Sequence, residues 1–280
     1  MDFYKGHGTQ NDFIIIPDAD ANIDLNQAFI AQLCDRQQGL GADGVLRVAR
    51  SQALIAQGII GDAGQAEYFM DYYNADGSIA EMCGNGTRVF AHWLVANNWV
   101  ETSEFLVGTR AGDKAVTVNL HSYDAAEVSV EMGVVHTLGH STASLGLEEF
   151  SGLGIDVGNP HLVVVNSAWS AEDIATLELD APGFDQDFFP HGVNLEFATP
   201  IVDGAMTMRV FERGVGETRS CGTGTVATAR AGLAHAGAEY GEVVVNIPGG
   251  QVTVTIGEEH AILRGPSRLV AQGVVSTQLA

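Results

Sequence analysis

Lysine is nearly missing from this chain: Lys5 and Lys114 are the only two in 280 residues. Chemistry that begins with a lysine Schiff base therefore has few candidates, and neither lysine lies in a recognisable setting for one. Basic residues are scarce in general, 13 against 35 acidic ones, and the formal net charge is −22. Such a surface repels nucleic-acid phosphates and anionic lipid headgroups, which argues against nucleic acid and membrane as partners. Cysteine is sparse as well. Cys34, Cys83 and Cys221 have no C-x-x-C spacing among them, so a thioredoxin-type or zinc-ribbon reading has no support. Met1-Asp2-Phe3-Tyr4-Lys5-Gly6 lacks the basic-then-apolar pattern of a secretory signal, so free thiols in a reducing, cytoplasmic compartment are expected. Long hydrophobic runs are absent. Stretches such as Phe13-Ile14-Ile15-Ile16 suit strands and fall far short of the ~18–20 residues that cross a bilayer.

What the chain does have is a repeat, and a repeat sets the architecture. Cys83-Gly84-Asn85-Gly86-Thr87 returns 138 residues later as Cys221-Gly222-Thr223-Gly224-Thr225. Laying 70–91 over 208–229 pairs Met70 with Met208, Asn74 with Glu212 and Ala91 with Ala229. In both copies a strand-like run is followed by a loop, a cysteine, glycines and a helix-like run. The length suits two domains of about 140 residues.

In chain order, residues 3–16 read as a strand interrupted by a polar loop, with Asn11 at the loop's end. Residues 26–38 look helical, with Cys34 on the apolar stripe as a small core residue. Gly39–Gly44 reads as a turn before the strand 45–48. Strand 66–73 leads through the turn 74–78 to the first cysteine loop. Val89, Phe90, Trp93 and Leu94 then give a helical pattern, which puts Cys83 at a helix N-terminus. Short strands follow at 104–107, 114–120 and 127–131. His136 and His140 have i, i+4 spacing, but Thr137 and Gly139 between them suggest a loop rather than a metal site. In the second half a polar loop ending in Asn159-Pro160-His161 precedes the strand 162–165, and Pro160 holds Asn159 extended. His161 reads as loop support. A helix at 170–178, strands at 193–198 and 205–211, the second cysteine loop with its helix to about 236, and strands at 242–247, 251–256 and 260–264 complete the pattern. The expected fold is α/β (α+β), with two pseudo-symmetric domains, each a central helix wrapped by mostly antiparallel strands. The halves are 1–120 and 121–265, the tail 266–280 returns to the first half, and the active site lies in the cleft between them.

A helix N-terminus offers unpaired N–H groups and the positive end of the dipole, so each thiol's pKa is expected to fall. The same N–H groups can hold a substrate carboxylate, which the glycines let approach closely. Two thiols, one per repeat, suit stereoinversion: one removes a proton from carbon and the other delivers one to the opposite face. Helix-end donors would stabilise the charge that develops on the adjoining carboxylate.

The motifs His7–Phe13, Gly39–Gly44, Asn74–Ser78, Met82–Arg88, Gly158–His161, Asn194–Phe197 and Glu212–Thr218 running into Cys221–Gly224, in this order, resemble the diaminopimelate epimerase family along nearly the whole chain. The resemblance implies interconversion of LL- and meso-diaminopimelate, in the lysine and peptidoglycan pathways, with no cofactor and no metal. It makes Cys83 and Cys221 the proton-transferring pair. It assigns the substrate's distal, non-reacting end to Asn11, Asn74, Asn159, Asn194, Glu212 and Arg213. The reacting carboxylate goes to Gly84-Asn85 and Gly222-Thr223. It also implies a homodimer that closes over its substrate. Some members carry a side-chain amide where this chain has Gly44, so no contact is carried to that position. Two other readings are an isomerase of proline-like substrates, against which the four asparagines and Glu212-Arg213 count, and a thiol redox switch.

Overall fold

The structure is a computed structural model and describes residues 1–276. Residues 277–280, the end of the segment expected to return to the first half, lie outside those described. The chain divides into two compact units, Met1–Val130 with the chain from Gly265 onward, and Glu131–Arg264.

The first unit holds β1 (Asp2–Gly8), β2 (Asn11–Pro17), α1 (Gln27–Cys34), β3 (Gly44–Arg50), α2 (Ser51–Ala56), β4 (Tyr68–Asn74), α3 (Gly84–Ala96), β5 (Glu104–Gly108), β6 (Lys114–Ser122) and β7 (Ala125–Gly133). The second holds β8 (His136–Leu145), β9 (Glu148–Asp156), β10 (Pro160–Val165), α4 (Ala171–Thr176), β11 (Gly183–Phe184), β12 (Asn194–Ala198), β13 (Ala205–Glu212), β14 (Gly216–Thr218), α5 (Gly222–His235), β15 (Gly241–Ile247) and β16 (Gly250–Ile256). A final strand, β17 (Ala261–Val274), begins against β16 and continues against β1 and β7.

The duplication holds strand by strand. In the first unit β1–β2 is antiparallel, β2–β3 parallel, β3–β4 antiparallel, β4–β5 parallel, and β5–β6–β7 antiparallel. In the second unit β9–β10, β10–β12, β12–β13, β13–β15 and β15–β16–β17 repeat that series in the same order and sense. The sequence reading cuts the chain at 120/121. The first unit runs ten residues further because β7 stays in register with β6, Val116 opposite Val130.

Each unit is built round one buried helix. Gly84 to Leu94 of α3 are all buried, so this helix has no solvated face and is enclosed rather than laid on a surface. It packs on β1, β2, β3 and β6, and α5 packs on β9, β10, β12, β13, β15 and β16. Phe13, Ile14, Ile15 and Ile16 of β2 are fully buried. At about 1.5–3 kcal/mol per large apolar side chain, that run is a substantial share of the unit's driving force.

Two local differences from the sequence reading have physical causes. The helix expected over 26–38 is Gln27–Cys34. Asn26 caps its start by accepting from the Phe29 N–H at 3.0 Å, and Asp35 stops it by accepting the Gln37 and Gln38 N–H groups at 2.7 Å. Cys34 lies in the core cluster with Ile14, Ile30 and Leu33, and burial pushes its thiol up to about 12. The segment around His136 and His140 is not a loop. It is one arm of the long β8–β9 hairpin, with a bulge at Thr137/Gly139. Its glycines look turn-like but make room for neighbours: a Cβ on Gly152 would sit 2.7 Å from Leu162, and one on Gly154 would sit 3.4 Å from the Phe188 ring.

Candidate active site

Both repeated cysteines are N-caps. The Cys83 sulfur accepts the Gly86 N–H at 3.5 Å, and the Cys221 sulfur accepts the Gly224 N–H at 3.4 Å. Both carbonyls repeat the pattern, accepting Thr87 Oγ1 at 2.9 Å and Thr225 Oγ1 at 2.6 Å. Each sulfur therefore takes the position of a capping oxygen at the first turn of a buried helix.

In the first unit, Asn11 opens β2 beside Cys83. The turn before it, Thr9 and Gln10, has both residues at positive φ, 49° and 66°, the geometry of a tight hairpin. A side chain holds this turn: Arg88 Nη2 donates to Thr9 Oγ1 and to Asn85 Oδ1, both at 3.0 Å. Asn85 Nδ2 then donates to Asn11 Oδ1 at 3.2 Å, and the Cys83 thiol reaches the same oxygen at 3.6 Å. The Asn11 amide nitrogen donates to Asp43 at 2.8 Å, and Arg36 joins Asp43 to Asp12 at 2.7 Å each. Lys5 also pairs with Asp12, at 3.0 Å. These bonds fix the Asn11 amide with its oxygen toward the thiol. Arg88 is fully buried, and among the described residues no carboxylate lies within ion-pair distance of it. Burial lowers it to about 10, and the Cys83 thiol is the charge partner that works the other way. Asn74 closes β4, half-buried, opposite Gly44, and its amide donates to Ser78 Oγ at 3.0 Å. A Cβ on Gly44 would lie 2.5 Å from the Tyr73 carbonyl oxygen, so this backbone leaves no space for a side chain there.

In the second unit, Asn194 opens β12. Its oxygen accepts the Arg213 N–H at 2.8 Å, and its nitrogen donates to the Pro160 carbonyl at 3.3 Å. Glu212 closes β13 and accepts from Thr218 Oγ1. Arg213 is exposed and has no carboxylate within 4 Å among the described residues. Its guanidinium donates to the His191 carbonyl at 3.0 Å, while nearby Glu217 pairs with Arg209 instead. Thr223 Oγ1 lies 3.6 Å from the Cys221 sulfur. Asn159 meets His161, which is fully buried and also joins Glu196 at 2.7 Å.

So Asn11, Cys83, Gly84 and Asn85 gather in one unit, where Asn74 closes the strand β4. Asn159, Asn194, Glu212, Arg213, Cys221, Gly222 and Thr223 belong to the other. Sequence reasoning missed Glu196 and Arg88. The signal for each was a charged residue set among apolar ones: Leu195-Glu196-Phe197 in a strand and Arg88-Val89-Phe90 in a helix.

The expected lowering of both thiols fails at Cys221. Burial raises its pKa well above the ordinary value, and the neighbouring Glu212 and Glu196 raise it further; Thr223 and the Gly224 N–H pull the other way and lose. A raised thiol pKa means less thiolate at any given pH. In a Cys83→Ser chain, alkylation of Cys221 by iodoacetamide should therefore keep climbing about tenfold per pH unit past pH 9. A plateau by pH 8 would mean that the helix terminus outweighs burial.

A duplicated α/β unit with a helix-capping thiol in each copy defines a class of fold. The solved structures agree at the level of fold. A phenazine biosynthesis protein of the PhzF family from Bacillus anthracis matches with a TM-score of 0.69 at 15% identity, covering 99% of both chains. A hydroxyproline epimerase from Agrobacterium vitis, with bound trans-4-hydroxy-L-proline, matches with a TM-score of 0.65 at 16% identity, covering 98% of this chain and 90% of that one. Sequence narrows the class. The family model for diaminopimelate epimerase matches residues 3–138 and 154–270. The diaminopimelate epimerase of Rhodococcus opacus (strain B4) is 57% identical over 278 residues, 98% of this chain and 96% of that one. The chain belongs to the diaminopimelate epimerase family and is an isomerase.

Proposed function

We propose that this chain inverts one α-carbon of LL-diaminopimelate to give the meso isomer, with Cys83 and Cys221 working on opposite faces of that carbon. One sulfur, as thiolate, takes the α-proton; the other, as thiol, gives its proton to the opposite face. The roles exchange in the reverse direction, and no redox step is involved. The observation that carries this reading is the equivalence of the two thiols, each capping a glycine-rich helix in its own repeat.

The N–H groups of Gly84-Asn85 and Gly222-Thr223, at those two helix starts, receive the reacting carboxylate and the charge that spreads onto it. The distal carboxylate goes to Arg213, whose guanidinium has no acidic partner among the described residues. The distal ammonium goes to Glu212 and the side-chain oxygens of Asn11, Asn74 and Asn194, and Asn159 joins the same distal set. A proline-like substrate has no second amino-acid end for this set to hold. On this reading the chain works as a homodimer in the cytoplasm, where its thiols stay reduced. The reading calls for no cofactor or metal.

The test is to incubate the reduced protein with LL-diaminopimelate in D₂O and follow the α-protons by NMR. The expected result is meso isomer carrying deuterium at the inverted centre. Absence of both exchange and meso product with the thiols reduced would overturn the proposal.

A further inference from the structure

Glu196 lies in the middle of β12, between Leu195 and Phe197, and is fully buried. Its Oε1 lies 2.7 Å from His161 Nδ1. Its Oε2 is buried with no hydrogen-bond partner. An ionisable group in that state is costly, and an apolar residue would fill the same strand position without the cost. The surrounding backbone makes room for it: a Cβ on Gly224 would lie 2.6 Å from Glu196 Oε1 and 3.2 Å from the Cys221 sulfur. The carboxylate and the thiol thus face the same small space at the start of α5.

The chain of bonds continues outward. His161 Nε2 lies 3.0 Å from Asn159 Oδ1. A side-chain carbonyl can only accept, so Nε2 carries a hydrogen. With Nε2 protonated, a proton must also lie between Nδ1 and Glu196 Oε1, because a bare nitrogen lone pair against a carboxylate oxygen at that distance is repulsive. One hydrogen bond thus sets the next, from the strand interior to Asn159. Asn159 Nδ2 has no protein partner among the described residues.

We propose that Glu196 is a positioning residue: through His161 it holds the Asn159 amide with its oxygen inward and its NH₂ group presented to a carboxylate oxygen of the substrate. The proposal rests on the functional reading above and refines how its distal end is bound. The titratable groups that face Glu196 are His161 from β10, Glu212 from β13 and Cys221 at the start of α5. Burial raises the Glu196 carboxyl above its usual range, which suits a proton held on or near it.

Two measurements on the full chain test this. The first is the ¹⁵N spectrum of histidine-labelled protein, with the His161 signals assigned by their loss in His161→Gln. The expected result is a protonated Nε2, kept in Glu196→Gln, whose amide N–H can still donate to Nδ1. A bare Nε2 would mean that the Asn159 amide faces the other way, and would overturn the proposal. The second is steady-state inversion of LL-diaminopimelate. Glu196→Gln should leave KM within about threefold, whereas Glu196→Ala should raise KM about tenfold or more with kcat nearly unchanged, the signature of lost ground-state binding. If Glu196→Gln loses as much as Glu196→Ala, the charge matters and the bond does not, and the proposal fails. Should Glu196→Ala not fold, Glu196→Gln and the spectrum still decide. A wild-type chain that inverts no diaminopimelate would sink the functional reading, while the histidine spectrum would still report on Asn159.

Discussion

Cys83→Ser and Cys221→Ser should each lower kcat for inversion by roughly 10³-fold, within the ~10²–10⁴ that a positioned acid or base supplies. The loss should be chemical and not structural. Serine is among the preferred N-cap residues, and its hydroxyl can accept the N–H that the sulfur now accepts. Thermal unfolding should shift by no more than the equivalent of ~1 kcal/mol, since each site keeps its cap. The checks are a melting curve and the D₂O exchange assay on both variants. A variant that keeps more than a tenth of wild-type kcat would show that its sulfur is not a proton carrier. A loss confined to one variant would leave a single-base mechanism, which the duplicated geometry does not suggest.

Arg213→Ala should raise KM for diaminopimelate about 10²-fold and change kcat less than tenfold. A charge-assisted, two-point hydrogen bond to carboxylate contributes about 1.5–3 kcal/mol, and each 1.4 kcal/mol is tenfold in affinity. The effect should fall on binding because the distal end does not change charge during the reaction. Arg209 provides a contrast four positions earlier, within β13. It pairs with Glu217 at 2.6 and 2.8 Å and donates to the Ile174 and Leu177 carbonyls at 3.0 and 2.6 Å. Its guanidinium is consumed by structure, whereas that of Arg213 keeps donors for a ligand. Steady-state kinetics on Arg213→Ala checks the split. An unchanged KM would remove Arg213 from the substrate site.

Much of this was legible in the chain. The first cysteine loop could be placed at a helix N-terminus because a glycine-rich turn precedes apolar residues at i, i+1, i+4 and i+5, a local pattern that needs no tertiary context, and the repeat carried the same placement to the second loop. The central helices and most strands followed from similar periodicity. What failed depended on distant neighbours. The segment around His136 and His140 read as loop because Thr137 and Gly139 lie between them, and only its pairing with β9 shows it to be a strand. The short helix α2 follows directly on β3 and had no signal of its own. The raised thiol of Cys221 could not be read locally either, because it comes first from burial by the surrounding fold and then from carboxylates on β12 and β13. Glu196 and Arg88 escaped because periodicity marks such positions as core and does not say which chemistry the core holds there.

The last strand has a consequence for how the protein is made. β17 finishes the second unit's series of strands and then supplies the first unit with the partner for both β1 and β7. The half that leaves the ribosome first is therefore the half that is completed last. Until residues 268–274 emerge, β1 lacks its outer neighbour, and Tyr4, Gly6 and His7 wait for Gln272, Leu269 and Arg268. A nascent chain stalled before residue 265 would expose an open sheet edge on its N-terminal half, the kind of edge that recruits other strands. The second unit, by contrast, would have its strands in place through β16.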